Sequence, residues 1–112
     1  LYQKTKYVMF WDRVGDRLEP VVFSESMIHA DVARCMGRGR VVVSAGFVSM
    51  SMRDDMPFPS THGRSDSLNI DTRPEDSTAL AVMMGLSENL TDKEHEALRE
   101  LRRQLYRQYG DN

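Results

Sequence analysis

The sequence predicts an α+β fold: a four-stranded, mainly antiparallel sheet, element order β-β-α-β-β-α-α, with helices packed on one face in a two-layer arrangement. Three observations carry this expectation. Tyr7-Val8-Met9-Phe10-Trp11 is an uninterrupted apolar run of strand length, the pattern of a central strand covered on both faces. Residues 41–52 form the longest strand-like stretch and open on Val41-Val42-Val43. Two later segments carry apolar side chains at helical spacing behind N-terminal capping signals.

Val14-Gly15-Asp16 supplies turn chemistry after the first strand, and Leu18-Glu19-Pro20-Val21-Val22-Phe23 returns as the second. Pro20 lacks an N–H, which places this strand at an edge or the proline at its start. Ser24-Glu25-Ser26 offers N-caps for a first helix with Ile28, Val32 and Cys35 on one buried face, and Gly37 is expected as its left-handed terminator. In the third strand, Ser44-Ala45-Gly46 signal a bulge or a close backbone approach. Residues 53–64 hold two prolines, a glycine and adjacent aspartates and read as a loop. Ser67-Leu68-Asn69-Ile70-Asp71 then alternates as the fourth strand. The first strand is expected to pair with the second, and the third with the fourth.

Thr72 and Glu75 have capping-box spacing, with Pro74 in the first turn where its missing N–H costs nothing. Ala79, Leu80, Val82, Met83 and Leu86 make this helix's apolar face, and Gly85 lies near its end. Thr91-Asp92-Lys93-Glu94 is a second capping box. The helix it opens runs to about Tyr109, with Leu98, Leu101, Leu105 and Tyr109 in one stripe and its arginines late, complementing the helix dipole. Tyr106 beside the stripe extends it toward a two-fold homodimer contact.

The 112 residues predict a single domain, 1–112, frayed at both ends. No apolar run approaches the roughly 18 residues of a membrane span, and Leu1-Tyr2-Gln3-Lys4 lacks the succession of a signal peptide. The lone cysteine, Cys35, has no internal partner. These features predict a cytoplasmic protein with no membrane contact. The net charge of −2 argues against a nucleic-acid partner. Charge is unevenly spread: residues 53–90 hold three basic and seven acidic side chains, or −4, while 1–52 carries +2. Such a middle stretch suits a partner with a basic surface.

The histidines His29, His62 and His95 are scattered, and neither a Cys-x-x-Cys nor a His-Glu-x-x-His is present. His29 with Asp31, or Asp54 and Asp55 with His62, are the nearest approach to a metal set, and no metal or cofactor is expected. Ser60, His62, Ser65 and Asp66 contain the types needed for hydroxyl nucleophile chemistry, but their adjacency is not triad geometry and no Gly-x-Ser-x-Gly elbow exists. An enzyme working through residues 62–66 is therefore the alternative reading. A nucleic-acid binder using the arginine-rich last helix is a third. Its five cations face four acids on the same helix.

Eight methionines is a large number for this length. Methionine fills irregular cores and also furnishes adaptable binding surfaces. Met9, Met27 and Met83 are expected in the core. Met50, Met52 and Met56 straddle a strand end and the expected loop, beside Pro57-Phe58-Pro59, an unusually apolar loop segment. The candidate site is accordingly Met50, Met52, Asp54, Asp55, Met56, Phe58, His62, Arg64 and Asp66. Phe58 and Met56 would be buried anchors, and Asp54 and Asp55 would steer a basic partner.

Residues 7–12 (Tyr-Val-Met-Phe-Trp-Asp), Val21-Val22-Phe23, His29-Ala30-Asp31-Val32-Ala33-Arg34, Val43-Ser44-Ala45-Gly46-Phe47, Gly63-Arg64-Ser65-Asp66-Ser67-Leu68 and Arg73-Pro74-Glu75-Asp76 together resemble small uncharacterised proteins of tailed phages and prophages. The resemblance covers about residues 5–86. It implies a protein that acts by binding a host or phage macromolecule. With the lack of an assembled catalytic set, the acidic middle stretch and the Met/Phe/Pro segment, it supports the expectation of a non-enzymatic interaction protein, an inhibitor or modulator of a host protein complex in the host cytoplasm.

Overall fold

The computed structural model describes residues 4–110. The frayed ends expected at the termini fall on residues 1–3 and 111–112, outside the described residues. Strands β1 (Thr5–Asp12) and β2 (Arg17–Ser24) form an antiparallel hairpin. Helix α1 (His29–Met36) follows, then the 14-residue β3 (Arg40–Arg53) and β4 (Met56–His62). All four strands are antiparallel neighbours in the order β2-β1-β3-β4. A two-stranded ribbon, β5 (Arg64–Ser65) and β6 (Ile70–Asp71), leads to α2 (Pro74–Met83), a 3₁₀ turn (Ser87–Asn89) and α3 (Asp92–Tyr109). The α+β class and its four-stranded antiparallel sheet are as expected.

The fourth strand is not where the alternation placed it. Residues 67–71 contribute only the short β6, whereas most of the expected loop at 53–64 is strand β4. Pro57 and Pro59 are two residues apart, so both missing N–H groups fall on one side of the strand. On an edge strand that side needs no hydrogen bonds. Asp54 and Asp55 sit between β3 and β4 with φ of 51° and 63°, the paired left-handed conformation of a tight hairpin turn, which aspartate tolerates.

Helices cover both faces of the sheet rather than one. Tyr7, Met9 and Trp11 point to α2 and α3, packing with Ala79, Leu80, Leu98, Leu101 and Leu105. Val8 and Phe10 point the other way and pack with Val32 of α1 and Ala45. Strand alternation requires this, because all five residues of the apolar run are buried. Between Met9 and Phe10 the β1–β3 register slips, leaving Val43 without a partner. That bulge puts Val43 and Ser44 on the α2 side together. The close approach falls at Gly46, where an added Cβ would lie 2.7 Å from the His62 carbonyl oxygen.

Helix α1 begins later than its serines suggested, at His29, while Ser24 Oγ accepts from Ser26 N–H in a local turn. Its shortness leaves Val32 buried but Ile28 and Cys35 exposed, correcting the expected three-residue face. Gly37 is not left-handed (φ −87°); the left-handed glycine is Gly39 at φ 75°, in the turn closed by Arg40 N–H on Gly37 O at 2.9 Å. The stripe Leu98, Leu101, Leu105 is buried in the protein's own core with Tyr109 packed beside it. It is therefore not free for a homodimer contact, and only Tyr106 stays exposed.

Candidate functional site

Helix α2 is held over the sheet by a buried carboxylate. Asp76 is the third helical residue, and its side chain accepts from the Arg73 N–H at 3.0 Å. The cap is thus one residue later than the Thr72–Glu75 spacing indicated. Asp76 also accepts from Ser44 Oγ at 2.8 Å and from the Tyr7 hydroxyl, which contacts Thr72 Oγ1 as well. Burial pushes the Asp76 carboxyl above its usual range against the lowering effect of these donors. Burial, then the neighbouring Asp76, push the Tyr7 hydroxyl up. The network ties β1, β3 and the first turn of α2 together.

The other end of α2 closes with the Gly85 N–H on Val82 O at 3.0 Å and the Leu86 N–H on Ala81 O at 2.8 Å, with Gly85 at φ 81°. This paired termination reverses the chain abruptly, and α3 then runs back over the Trp11 and Val43 end of the sheet. The opposite end receives no such cover. A groove of about 580 Å³ opens there, lined by Thr5, Val22, Val48, Ser49, Met50, Pro59, Leu80, Met83 and Met84. Met50 is 52% exposed and Met83 54%, with Met84 and Val22 close behind. Met83 is therefore a groove residue and not the core residue its helical position suggested. Met27, also expected in the core, is likewise exposed.

The predicted site residues are dispersed. Met50 belongs to the groove. Met52 and Met56 are exposed toward the tip of the β3–β4 hairpin, flanking the Asp54-Asp55 turn. Phe58, expected as a partner anchor, is only 3% exposed and packs on Ala81 and Leu90. Its outer side is covered by the Arg53 guanidinium, 3.8 Å from the ring centroid, which also holds Glu94 through bonds of 2.7 and 3.0 Å. Edge strand β4 brings Phe58 inward because α2 lies across it; Thr61 N–H donates to Ser77 Oγ at 2.9 Å. Arg64 pairs with Asp66 at 3.4 Å and Asp71 at 3.7 Å around the β5–β6 ribbon.

His62 stacks on Phe47 with ring centroids 6.1 Å apart, beside a small cleft that Lys4 also lines. Among the described residues the His62 imidazole makes no hydrogen bond, so it is not engaged with Ser60 or Ser65. The Ser65 Oγ accepts from Leu68 N–H at 3.2 Å, as a turn-forming serine does. His29 is buried, donating from Nε2 to the Gly46 carbonyl at 2.8 Å between the edges of Phe23 and Phe47. It pins α1 to β3. Among the described residues no three His, Cys, Asp or Glu side chains gather as a metal set.

Groove residues Val22, Met83 and Met84 went unmarked by sequence reasoning. The available signal was Met83-Met84-Gly85, a methionine pair at a helix terminator, where the last turn of an amphipathic face loses its cover.

The fold and this site define an α+β protein with a methionine-lined apolar groove between one end of its sheet and α2. Comparison with protein-family models, curated proteins and solved structures gives no match. No helix among the described residues is long and apolar enough to cross a membrane.

Proposed function

We propose that this chain is a non-enzymatic interaction protein that takes apolar side chains of a partner protein into the groove formed by Met50, Met83 and Met84. In keeping with the phage-protein resemblance, the partner would be a component of a host or phage complex that the chain inhibits or modulates. One observation carries the reading: three half-exposed methionines from separate elements, β3 and the end of α2, converge on a single concavity. Exposed apolar surface gathered in one place marks recognition sites, and flexible thioether side chains adapt to an incoming surface. Asp54 and Asp55, at the hairpin tip and without ion pairs among the described residues, would add a negative field that speeds approach of a basic region of the partner.

Photo-methionine tests this directly. The labelled chain is illuminated in host-cell lysate, and cross-linked residues are mapped by mass spectrometry. The expected result is one partner protein attached through Met50, Met83 or Met84, with attachment lost in a Met50→Asp, Met83→Asp variant that keeps its melting temperature. Attachment only through Met27, Met52 or Met56 would refute the groove as the binding surface.

A further inference from the structure

Met83 is shared between the groove and a neighbouring cleft. The same side chain lines a second cleft of about 310 Å³, enclosed by Arg17, Leu18, Glu19 and Pro20 of β2 and by Ala79, Val82 and Arg102 of the helices. The two clefts lie on either side of Met83, and the second reaches the start of the outer strand β2. Their chemistry differs sharply. Among the described residues no charged side chain lines the first, whereas the second holds Arg17, Glu19 and Arg102.

Those three charges are not equivalent. Glu19 already accepts from Arg40 at 2.9 Å, and Arg17 lies 3.8 Å from Asp12. On α3, Arg99 pairs with Glu96, while Arg103 and Arg107 share Glu100. Arg102 is exposed and has no acidic partner among the described residues. A guanidinium in that position offers a planar fork of N–H donors that matches a carboxylate. Apolar walls beside it strengthen the bond by excluding water once a ligand is seated.

We propose that the segment docking here is amphipathic: apolar side chains occupy the groove at Met50, Met83 and Met84, and an aspartate or glutamate further along the same segment pairs with Arg102. This rests on the groove being the docking surface and adds the partner's chemistry to it. The chain's net charge of −2 does not oppose it, because an exposed ion pair is governed by charges within about a Debye length, roughly 8 Å at physiological salt.

A random peptide library displayed on the surface of phage, selected on the immobilised chain and counter-selected on the Met50→Asp, Met83→Asp variant, tests both layers. The expected peptides combine apolar residues with Asp or Glu. Arg102→Ala, an exposed substitution that leaves the melting temperature unchanged, should weaken them about two- to fivefold. It should not affect the same peptides with Gln in place of Glu. Apolar peptides that depend on Met83 but show no acidic preference, or that are indifferent to Arg102→Ala, would overturn the carboxylate assignment and leave the groove intact as a docking surface. No enrichment over the counter-selection variant would overturn both.

Discussion

The two ends of the α2-covered sheet face are built from the same strands and the same helix, yet one is closed and the other open. At the closed end, Trp11 and Val43 lie under α3, and Leu98, Leu101 and Leu105 fill the space to near-complete burial. At the open end, Val22, Val48 and Met50 line the groove with Met83 and Met84, and Val22 and Met50 stay about half exposed. The difference arises at Gly85. The chain reverses there, so α3 can cover only one end. Branched side chains of defined shape, such as leucine and valine, suit the closed end, where packing is dense. Methionine suits the open end, where the neighbouring surface is not fixed by the fold.

The contrast can be broken by substitution. The largest effect is expected at Phe58, which is buried in a cluster of its own with Ala81 and Leu90 despite its position in the proline-rich segment. Phe58→Ala should cost about 3–5 kcal/mol in urea unfolding, because Ala81, Leu90 and the stacked Arg53 lose their common partner. A cost below about 1 kcal/mol would return Phe58 to the surface. Leu101→Ala should follow at about 2–5 kcal/mol, a cavity beneath α3 at the closed end. At the open end, Met83→Ala should change stability by no more than about 0.5–1 kcal/mol, since half its surface is already in water. Equal losses for Leu101→Ala and Met83→Ala would show that the groove is a continuous part of the core.

The opposite face of the sheet sharpens the comparison through pH. Burial, with Lys6 nearby, holds the His29 imidazole below its usual value of 6.5, against the opposing hydrogen bond to Gly46. A group whose pKa falls on folding is protonated first in the unfolded chain. Its stabilising contribution is therefore complete above about pH 6.5 and is lost as pH drops toward the lower folded value. Urea midpoints of the wild type measured from neutral to mildly acidic pH should fall more steeply than those of His29→Gln. Parallel profiles would mean that His29 is solvated. Cys35 provides the smallest and simplest check, since its exposure predicts labelling by a thiol reagent without unfolding.

What could be read along the chain was what neighbouring residues decide among themselves. Thr91 and Glu94 cap each other, with Glu94 N–H on Thr91 Oγ1 at 3.1 Å and Thr91 N–H on Glu94 Oε1 at 2.9 Å. The leucine stripe behind them repeats at helical spacing, so α3 was legible almost to the residue. The apolar run of β1 announced a central strand, and Pro74 and Gly85 bracketed α2. The candidate site was legible only in part. Met50 was marked, but its neighbours Met83 and Met84 come from a helix over thirty residues away.

Only the tertiary structure decided the rest, and for a common reason. A segment with two prolines and two aspartates has no periodicity that separates a loop from an edge strand. Residues 56–62 become β4 because β3 is long enough to offer them hydrogen bonds, and because α2 offers Phe58 a surface to bury. Val32 and Cys35 share a helical spacing, but the short α1 meets Val8 and Phe10 through the first alone. The groove itself belongs to no local pattern. It is the space left where α2 ends and α3 turns away. By itself the sequence determined the strands and helices whose partners lie within a few residues, because capping, turn and amphipathic energies are local. Which apolar side chains are covered, and which remain open to a partner, depends on distant elements and was settled only when those elements packed.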